Sequence, residues 1–400
     1  MFNAIAVIGA NFGDEGKGQV TDWLASQKRK PLVVLHNGGP QRAHTVTTPD
    51  GKEHIFRHIG AGTFVGADTF IARQFVCNPI VFREEYVKLF PKLNRMPQIF
   101  VDGRCKFTTY FDMLVNQARE IERGSFKHGS CGLGVFETMC RYQDGSIKFK
   151  EQTISPYGIS FWEFANLNYL GKYNYLESLR KYYTEKRIDQ TGLHKMPPEL
   201  ECALNSDVAL NNFINDFDFM AKKCKIVNDL QLLNEYTDVI FENGQGLLLD
   251  QENLEYYPHL TPSHTGLHNI NEILEECGYI GVIEAFYVTR TYMTRHGVGR
   301  FDTECDKNEI NPLMWDRTNV PNLFQDSLRY GKLDTIDLAK RVSRENKNSK
   351  YRVLSNLVIT HFNEYKLYIP AINFFMENYI SDGYTRENFT NTIFDFSSIM

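Results

Sequence analysis

Short apolar runs alternate with helical patterns along most of this chain. The runs have the length and the β-branched, apolar composition of buried parallel strands. They lie at Ile5–Ile8, Leu32–Leu35, Phe70–Ala72, Gln98–Val101, Asp238–Phe241, Tyr279–Val288 and Leu357–Thr360. Helical patterns lie between them, at Gly16–Gln27, Asp112–Glu122, Asn211–Lys223, Asn269–Glu276 and Thr335–Asn346. This alternation predicts an α/β fold with a mostly parallel central sheet and helices on both faces.

The length of 400 residues suits one large α/β domain or two smaller ones. We interpret residues 1–400 as a single domain. The segment 160–235 is rich in Tyr, Leu, Asn and Lys and carries no chemical motif, so we predict a helical excursion from the sheet. The tail Asn388–Met400 is polar and aromatic, which is compatible with a docking extension.

Charge and cysteine usage exclude several classes of protein. The net charge is −5 and no long basic run is present, so no nucleic-acid partner is expected. The 8 cysteines show no CxxC spacing, which is typical of reduced thiols in the cytoplasm. The N-terminus does not resemble a signal peptide, and no run approaches the roughly 20 apolar residues of a membrane helix. We therefore expect a cytoplasmic protein without a membrane partner.

A glycine-rich segment, Gly9-Ala-Asn-Phe-Gly-Asp-Glu-Gly-Lys-Gly18, directly follows the first apolar run. A strand, a glycine-rich turn and a helix N-terminus together surround an anion, usually phosphate. The spacing differs from the common phosphate loop, because Gly9 and Gly16 are too far apart and Gly18 replaces the Ser or Thr that holds magnesium. The acidic pair Asp14-Glu15 would repel phosphate unless it binds a metal or transfers a proton. The segment therefore predicts a variant of the P-loop NTPase fold whose loop takes part in chemistry.

Other polar clusters follow later apolar runs. Residues 36–45 bring His44 to the edge of the sheet at which ligands bind in such folds. Residues 241–250 bring Gln245 to the end of another strand, where an amide can donate to and accept from a planar ligand. Arg295 and Arg329 lie in glycine-containing segments, and such arginines bind phosphate or carboxylate groups but are also common on plain surfaces.

Taken in order, these segments resemble the adenylosuccinate synthetase family nearly from end to end. Gly13-Asp-Glu-Gly-Lys-Gly18 is similar to the opening loop of that family, and Gly38-Gly-Pro-Gln-Arg-Ala-His-Thr45 is similar to its Gly-Gly-Pro-Asn-Ala-Gly-His-Thr. Phe241-Glu-Asn-Gly-Gln-Gly246 resembles Phe-Glu-Gly-Ala-Gln-Gly, and Thr294–Glu304 resembles Thr-Arg-Val-Gly-x-Gly-Pro-Phe-x-Thr-Glu. Residues 150–235 match only loosely.

The resemblance implies a ligase that joins L-aspartate to the 6-carbon of inosine monophosphate (IMP) at the expense of a nucleoside triphosphate. It implies that Asp14 is the base and a Mg²⁺ ligand, and that the Ala43 carbonyl completes the metal shell. His44 is then the acid at the γ-phosphoryl group, Lys17 neutralises phosphate charge, and Gln245 holds the purine 6-oxygen. Further nucleotide contacts are expected from Gly13, Glu15, Gly16, Gly18 and Gln41.

The resemblance also implies contacts outside these motifs. Ser130, in Gly129-Ser-Cys-Gly-Leu-Gly134, corresponds to a loop at the phosphate of the monophosphate, and Thr261 and Thr265 are expected nearby. Arg141 is expected to reach into the site of a neighbouring subunit, which implies a homodimer.

Two segments depart from the family in the binding of base and aspartate. Thr360-His361-Phe362-Asn363 stands where guanine-selective members have Thr-Lys-Leu-Asp. Asn363 offers a donor and an acceptor, so we predict relaxed guanine selection and use of ATP or GTP, with His361, Ser381 and Gly383 beside the base. The segment with Gln325 and Arg329 resembles the shorter aspartate loop of archaeal and phage-type members.

Two alternatives stay open. One is a phage-type synthetase that acts on dGMP or GMP; that branch tends to lose the loop aspartate, so the presence of Asp14 favours a hypoxanthine substrate. The other is a nucleotide-binding regulatory protein without catalysis, which the presence of Asp14, Lys17, His44 and Gln245 disfavours. Arg42 replaces a small residue of the family pattern, and it is expected either to contact phosphate or to narrow the pocket.

Overall fold

A ten-stranded sheet runs through the part of the chain that the computed structural model describes, which is residues 2–124, 128–145, 147–149, 152–154, 156–193, 195–313, 328–365 and 374–391. In spatial order its strands are β11 (Lys225–Val227), β7 (Ile99–Asp102), β5 (Asp68–Ile71), β2 (Pro31–Leu35), β12 (Asp238–Gly246), β1 (Asn3–Gly9), β13 (Ile283–Arg290), β17 (Val353–Thr360), β18 (Asn378–Ser381) and β19 (Phe389–Asn391). Neighbouring strands are parallel, except that β18 and β19 are antiparallel. The predicted parallel sheet is confirmed.

Smaller strand groups and helices complete the described chain. The small groups pair β3 (His44–Thr47) with β4 (Glu53–Phe56), β6 (Val76–Cys77) with β8 (Lys106–Phe107), β9 (Ile147–Phe149) with β10 (Gln152–Ile154), and β14 (Tyr292–Arg295) and β15 (Glu304–Cys305) with β16 (Arg329–Lys332). The α-helices are α1 (Lys17–Ser26), α2 (Pro79–Leu89), α3 (Tyr110–Arg123), α4 (Val135–Gln143), α5 (Phe161–Asn166), α6 (Tyr169–Tyr182), α7 (Ile188–Thr191), α8 (Pro198–Leu204), α9 (Asp207–Lys223), α10 (His268–Glu276), α11 (Lys307–Ile310) and α12 (Thr335–Asn348).

Each face of the sheet is covered by helices, because side chains of a strand alternate between its two faces. On β1, Ile5 and Val7 join an apolar cluster that includes residues of α1, α2, α3, α6 and α9. Ala6 and Ile8 point to the other face and join residues of α10 and α12. The prediction of helices on both faces is therefore confirmed.

Most predicted elements coincide with observed ones, and the differences have local causes. The run Tyr279–Val288 was expected to be one strand, but β13 begins only at Ile283, because α10 ends in a turn at Gly278 (φ +70°) that leads through Tyr279. In the predicted excursion 160–235, helices α5 to α9 are followed by β11, which pairs with β7 at the edge of the sheet. The last nine residues of the tail, 392–400, lie outside the described residues.

The carboxyl ends of the central parallel strands lie at one edge of the sheet, where α/β folds of this type bind ligands. Gly9 ends β1, Leu35 ends β2, Gly246 ends β12, Arg290 ends β13 and Thr360 ends β17. The motifs found in the sequence therefore meet at this edge. Among the helices of the described ranges, none has both the length and the apolar character that a membrane span needs.

Candidate active site

The loop between β1 and α1 is held in a strained, specific shape. Gly13 (φ +125°), Asp14 (φ +60°) and Gly16 (φ +87°) all have positive φ, and a non-glycine residue in this region is uncommon. The Glu15 carboxylate turns inward and accepts the backbone N–H groups of Asn11 (2.9 Å) and Gly13 (3.0 Å). Glu15, which the sequence predicts to contact the nucleotide, thus stabilises the conformation of its own loop.

Lys17 also points into the loop, since its Nζ lies 2.9 Å from Glu15 Oε2 and its side chain is 3 % exposed. Asp14 differs, because its side chain keeps 30 % of its surface exposed and lies 3.7 Å from His296 Nε2. The backbone carbonyls of Asp14 and Gly13 are fixed by residues of β13 and β14. Arg290 Nε donates to the Asp14 carbonyl (2.6 Å) and the Thr294 hydroxyl donates to the Gly13 carbonyl (3.1 Å). The loop therefore presents the Asp14 carboxylate at its surface.

His44 lies at the start of β3 and packs directly on the first turn of α1. A Cβ atom placed on Gly18 would come 2.7 Å from the His44 Cβ atom, so only glycine permits this approach. The imidazole Nδ1 contacts Glu242 Oε1, and Arg42 Nη2 lies 2.6 Å from the same carboxylate oxygen. The Arg42 and Glu242 side chains have no exposed surface, so three titratable groups are buried together.

Burial and mutual charge set the protonation of this group. Burial and the Arg42 guanidinium lower the pKa of His44 to about 4, against the opposing effect of Glu242. Burial raises the pKa of Glu242, but Arg42 and His44 outweigh it and hold that pKa at about 2. At neutral pH the site therefore contains a neutral imidazole beside an ionised carboxylate. A bound polyphosphate would favour the imidazolium form, because a nearby negative charge stabilises it.

Gln245 lies close to both glycine-rich loops. Its backbone is left-handed (φ +57°), and a Cβ atom on Gly38 would come 2.9 Å from both Gln245 Oε1 and Gln41 Nε2. Within the described chain, the Oε1 atoms of Gln41 and Gln245 are buried without a hydrogen-bond partner. Unsatisfied buried amides are costly unless a ligand or water completes them. Two amide side chains are thus available to a polar ligand beside the Asp14 loop.

The segment 128–134 and the segment 261–265 flank this region. Ser130 and Asn116 exchange hydrogen bonds through their side chains (2.9 and 3.2 Å). Thr265 is buried and its N–H donates to Asp250 (2.7 Å), and the Thr261 N–H donates to the Leu249 carbonyl (2.9 Å). Ser263, which the motif search did not single out, accepts the Gly38 N–H (3.0 Å) and so connects this segment with the His44 loop.

Arg295 and Arg329 stabilise one loop. Arg295 is buried over the Phe12 ring, 4.4 Å from its centroid, and donates to the Arg300 carbonyl. Burial and the neighbouring Arg329 lower the pKa of Arg295 to about 10. Arg329 pairs with Glu304 and donates to the Gly297 and Gly299 carbonyls (3.1 and 2.9 Å). Gln325 lies outside the described residues.

A second cluster connects α1 with the residues after β18. Gln19 Nε2 donates to the Ser381 hydroxyl (3.1 Å) and to the carbonyls of Gly383 and Thr385 (both 2.9 Å). Asp22 pairs with Arg386 at 3.0 Å, and burial raises the pKa of Asp22 to about 6 in spite of that arginine. His361 (φ +56°) bonds Thr360 through Nδ1, and Asn363 is exposed.

Arg141 is engaged inside its own chain. Its guanidinium is completely buried within its own chain and donates to Asp112 (3.0 and 3.1 Å), the Phe107 carbonyl (2.7 Å) and the Tyr157 carbonyl (2.8 Å). It would have to leave all these partners to enter another subunit. In this conformation Arg141 supports the packing of α4 on α3.

The motif search missed several residues that the fold brings to the site. Glu242 is the main omission, although a charged residue in a run of buried strand positions is rare and was a usable signal. His296 is another, since it stands where the family pattern has valine and lies beside Asp14. Sequence spacing alone does not place Glu242 beside His44 or His296 beside Asp14.

The site combines features of one class of enzyme. At the carboxyl edge of the parallel sheet lie a strand–loop–helix phosphate site, an exposed loop carboxylate, a buried histidine–carboxylate pair and two amides with unsatisfied oxygens. These are the parts of an enzyme that transfers a phosphoryl group between nucleotides. The family model of adenylosuccinate synthetase matches residues 6–367. The chain belongs to the adenylosuccinate synthetase family.

Curated relatives support this assignment. The adenylosuccinate synthetase of Trichodesmium erythraeum is 30% identical over 319 residues, which are 78% of this chain and 66% of the relative. That of Blochmanniella pennsylvanica is 26% identical over 352 residues, which are 84% of this chain and 73% of the relative. The chain thus spans about two thirds to three quarters of the length of these relatives.

Two solved structures share the fold. Fully ligated adenylosuccinate synthetase from Plasmodium falciparum has a TM-score of 0.71 and 16% identity, with 98% of this chain and 100% of that chain covered. Succinoaminodeoxyadenylate synthetase of cyanophage S-2L, bound to dGMP and dATP, has a TM-score of 0.63 and 13% identity, with 98% and 96% covered. Adenylosuccinate synthetases are carbon–nitrogen ligases that act on a nucleoside monophosphate, a nucleoside triphosphate and aspartate and need a divalent metal.

Proposed function

We propose that this protein is a ligase that joins L-aspartate to the 6-position of a 6-oxopurine nucleoside monophosphate, converting IMP to adenylosuccinate. The observation that carries the proposal is the approach of the His44–Glu242 pair to the first turn of α1, directly behind the loop that exposes Asp14. A carboxylate and an imidazole at one phosphate loop are what oxygen phosphorylation on a purine requires.

The proposed reaction has two steps. The Asp14 carboxylate accepts the N1 proton of the purine while the 6-oxygen attacks the γ-phosphorus, and the bond to the nucleoside diphosphate breaks. The amine of aspartate then adds to C6, loses a proton, and phosphate leaves with the 6-oxygen. His44 stabilises the γ-phosphoryl oxygens during transfer, and Gln245 holds the purine edge with its unsatisfied amide.

Lys17 contributes positive charge at the polyphosphate in this proposal. Its ammonium is paired with Glu15, so contact with a phosphate requires it to share or leave that partner. The triphosphate and the nucleoside monophosphate would be contacted by Gly13, Gly16, Gly18, Gln41, Ser130, Thr261 and Thr265. The charge of aspartate would be balanced by Arg295 and Arg329.

Mg²⁺ is the metal that we propose for this site. The donor set fits, because Asp14 offers a partly exposed carboxylate and Ala43 is an exposed residue whose carbonyl could add a second oxygen ligand. Mg²⁺ is usually bound by one or two protein oxygens together with substrate phosphates, so few protein ligands suffice. When bound, the ion would neutralise charge on the transferring phosphate.

Both ATP and GTP are proposed phosphate donors. Asn363 follows β17 where an aspartate would demand the two donors of guanine, and an amide can pair with either purine. His361, Ser381 and Gly383 would form the rest of the base site, and Gln19 keeps this segment against α1.

We also propose that the enzyme acts in the cytoplasm as a homodimer. The eight free cysteines support a reducing compartment. Family resemblance supports the dimer, although Arg141 is engaged inside its own chain and is not the residue on which a dimer proposal can rest.

A matrix of substrates tests the function. IMP, dIMP, GMP and dGMP are each incubated with aspartate, Mg²⁺ and either ATP or GTP, and products are read by mass spectrometry. We expect adenylosuccinate from IMP with both triphosphates. Strong activity with dGMP and none with IMP would favour the phage-type reaction, and no product in any combination would favour a binding protein without catalysis.

A further inference from the structure

Arg42 is buried at a position where the family pattern has a small residue. Its side chain has no exposed surface, so it neither faces a bound phosphate nor narrows an open pocket. Its Nη2 atom lies 2.6 Å from Glu242 Oε1 and its Nη1 atom donates to the Glu242 carbonyl (3.3 Å). The guanidinium thus holds both the side chain and the main chain of Glu242.

The Glu242 carboxylate is bound on both oxygens. Oε2 accepts the Ala61 N–H (3.0 Å), whereas Oε1 meets Arg42 Nη2 and His44 Nδ1 together. Ala61 opens a 3₁₀ turn that is itself fixed, because the Gly60 N–H donates to the Thr69 hydroxyl (2.9 Å). A carboxylate bound from three directions has one orientation.

This arrangement decides which nitrogen of His44 is left for a ligand. Two acceptors do not approach this closely without a proton between them, so His44 Nδ1 donates to Glu242 Oε1. Arg42 Nη2 lies 3.0 Å from the same Nδ1 and 2.6 Å from that oxygen, so the guanidinium packs against the imidazole–carboxylate pair and limits rotation of the ring. Nε2 is then the nitrogen that remains for chemistry.

We propose that Arg42 is a positioning residue that acts on His44 through Glu242. It orients the carboxylate so that the imidazole is held by Nδ1 and presents Nε2 to the transferring phosphoryl group. The inference rests on the proposed function for the phosphoryl group, but the orientation of His44 can be measured without turnover.

The experiment compares Arg42→Ala, Arg42→Lys and Glu242→Gln with the double variant Arg42→Ala/Glu242→Gln, which leaves no unpaired buried charge. Arg187→Ala is the matched control, since it removes another close arginine–carboxylate pair, with Glu137 at 2.7 Å, from the helical region. Measurements are kcat and KM for IMP, aspartate and triphosphate, thermal unfolding, and the ¹⁵N chemical shifts of the His44 ring, assigned by their loss in His44→Asn.

We expect Arg42→Ala to lower kcat by about 10- to 100-fold with each KM changed by less than about 3-fold, because a loosened ring costs catalysis and not ground-state binding. Arg42→Lys should recover part of kcat. In the Glu242→Gln background, Arg42→Ala should change kcat by less than about 3-fold, because its effect passes through that carboxylate. In Arg42→Ala the ¹⁵N shifts of His44 should move from those of a fixed Nδ1–H form toward an average of two tautomers. Arg187→Ala should leave kcat, the KM values and the His44 shifts unchanged.

A rise in KM for the triphosphate at constant kcat would overturn the proposal in favour of phosphate binding. Unchanged His44 shifts with only a lower melting temperature would overturn it in favour of a purely structural arginine. If the wild-type protein forms no product with any nucleotide pair, the proposed function fails, and the His44 shifts in Arg42→Ala still decide the role of Arg42.

Discussion

Neighbouring residues of the first loop carry the same charge and have opposite environments. The carboxylate of Glu15 is buried against backbone N–H groups, whereas that of Asp14 is partly exposed beside His296. The positive φ of Asp14 turns successive side chains to different sides of the loop. One carboxylate therefore builds the loop and the other is available for proton transfer.

Asp14→Asn should abolish ligation with little loss of stability. Asparagine tolerates the left-handed backbone at this position better than alanine does, but it cannot accept the N1 proton. We expect kcat to fall by at least about 100-fold, as is usual when a general base is lost. Asp50→Asn, in the exposed turn between β3 and β4, is the control and should retain full activity. Retained turnover in Asp14→Asn would remove Asp14 as the base.

His44→Asn should lower kcat severely and leave the KM values nearly unchanged. Asparagine can still bond Glu242, so packing is largely kept while the group that meets the phosphoryl oxygens is lost. His268→Asn, on the exposed face of α10, is the control. An effect on KM alone, in steady-state kinetics, would mean that His44 binds the nucleotide without assisting transfer.

At the scale of elements, α1 connects two parts of the site. Its first turn contacts His44 through Gly18 and holds the segment 381–386 through Gln19, and Asp22 in its next turn pairs with Arg386. The same helix would thus position the residues that contact the phosphates and those that contact the base of a bound triphosphate. A shift of α1 would disturb both ends together.

Asn363→Asp should shift the preference toward GTP. A carboxylate accepts the two donors of guanine and repels the acceptor N1 of adenine, so we expect kcat/KM for GTP to rise relative to ATP by about 10-fold, as for one gained charged hydrogen bond. Asn363→Ala is the control, because it should weaken both triphosphates alike. Unchanged selectivity in competition between the two would show that Asn363 does not face the base.

At the scale of the whole molecule, buried titratable groups make stability depend on pH. Burial lowers the pKa values of His36, His44 and His54 to about 4 from 6.5, so the unfolded chain binds more protons than the native one between these pH values. Asp22 opposes this, because its native pKa of about 6 lies above the usual 3.8 and the native state holds that proton. Burial also lowers the pKa of His58 and raises that of Glu345, so the histidines still outnumber the carboxyls and the unfolded state binds a net excess of protons.

Stability should therefore be highest above pH 6.5 and fall as the pH drops toward 4. We expect a loss on the order of a few kcal/mol between pH 7 and pH 5, measured by urea unfolding at a series of pH values. His54→Gln should flatten the curve, since it removes one of these histidines without touching the site. Equal stability at pH 7 and pH 5 would contradict these protonation states.

The apolar pattern and the motifs alone predict the parallel sheet, the edge at which the motifs meet and the family. Apolar runs report burial directly, and glycine-rich segments behind them report loops at the carboxyl ends of strands. These are local properties, which is why Gly13 to Gly18, His44 and Gln245 were recognised. Gln325 stays a prediction outside the described residues.

The pairing of charges depends on how the strands and loops pack together. Arg42 and Glu242 are 200 positions apart, and their contact exists because β12 lies beside β2 in the sheet. The inward turn of Glu15 and the burial of Arg141 are likewise set by neighbours distant in sequence or by backbone conformation. A residue type shows which chemistry is possible, but the desolvation and the partners that select one chemistry arise only when strands and loops are packed together.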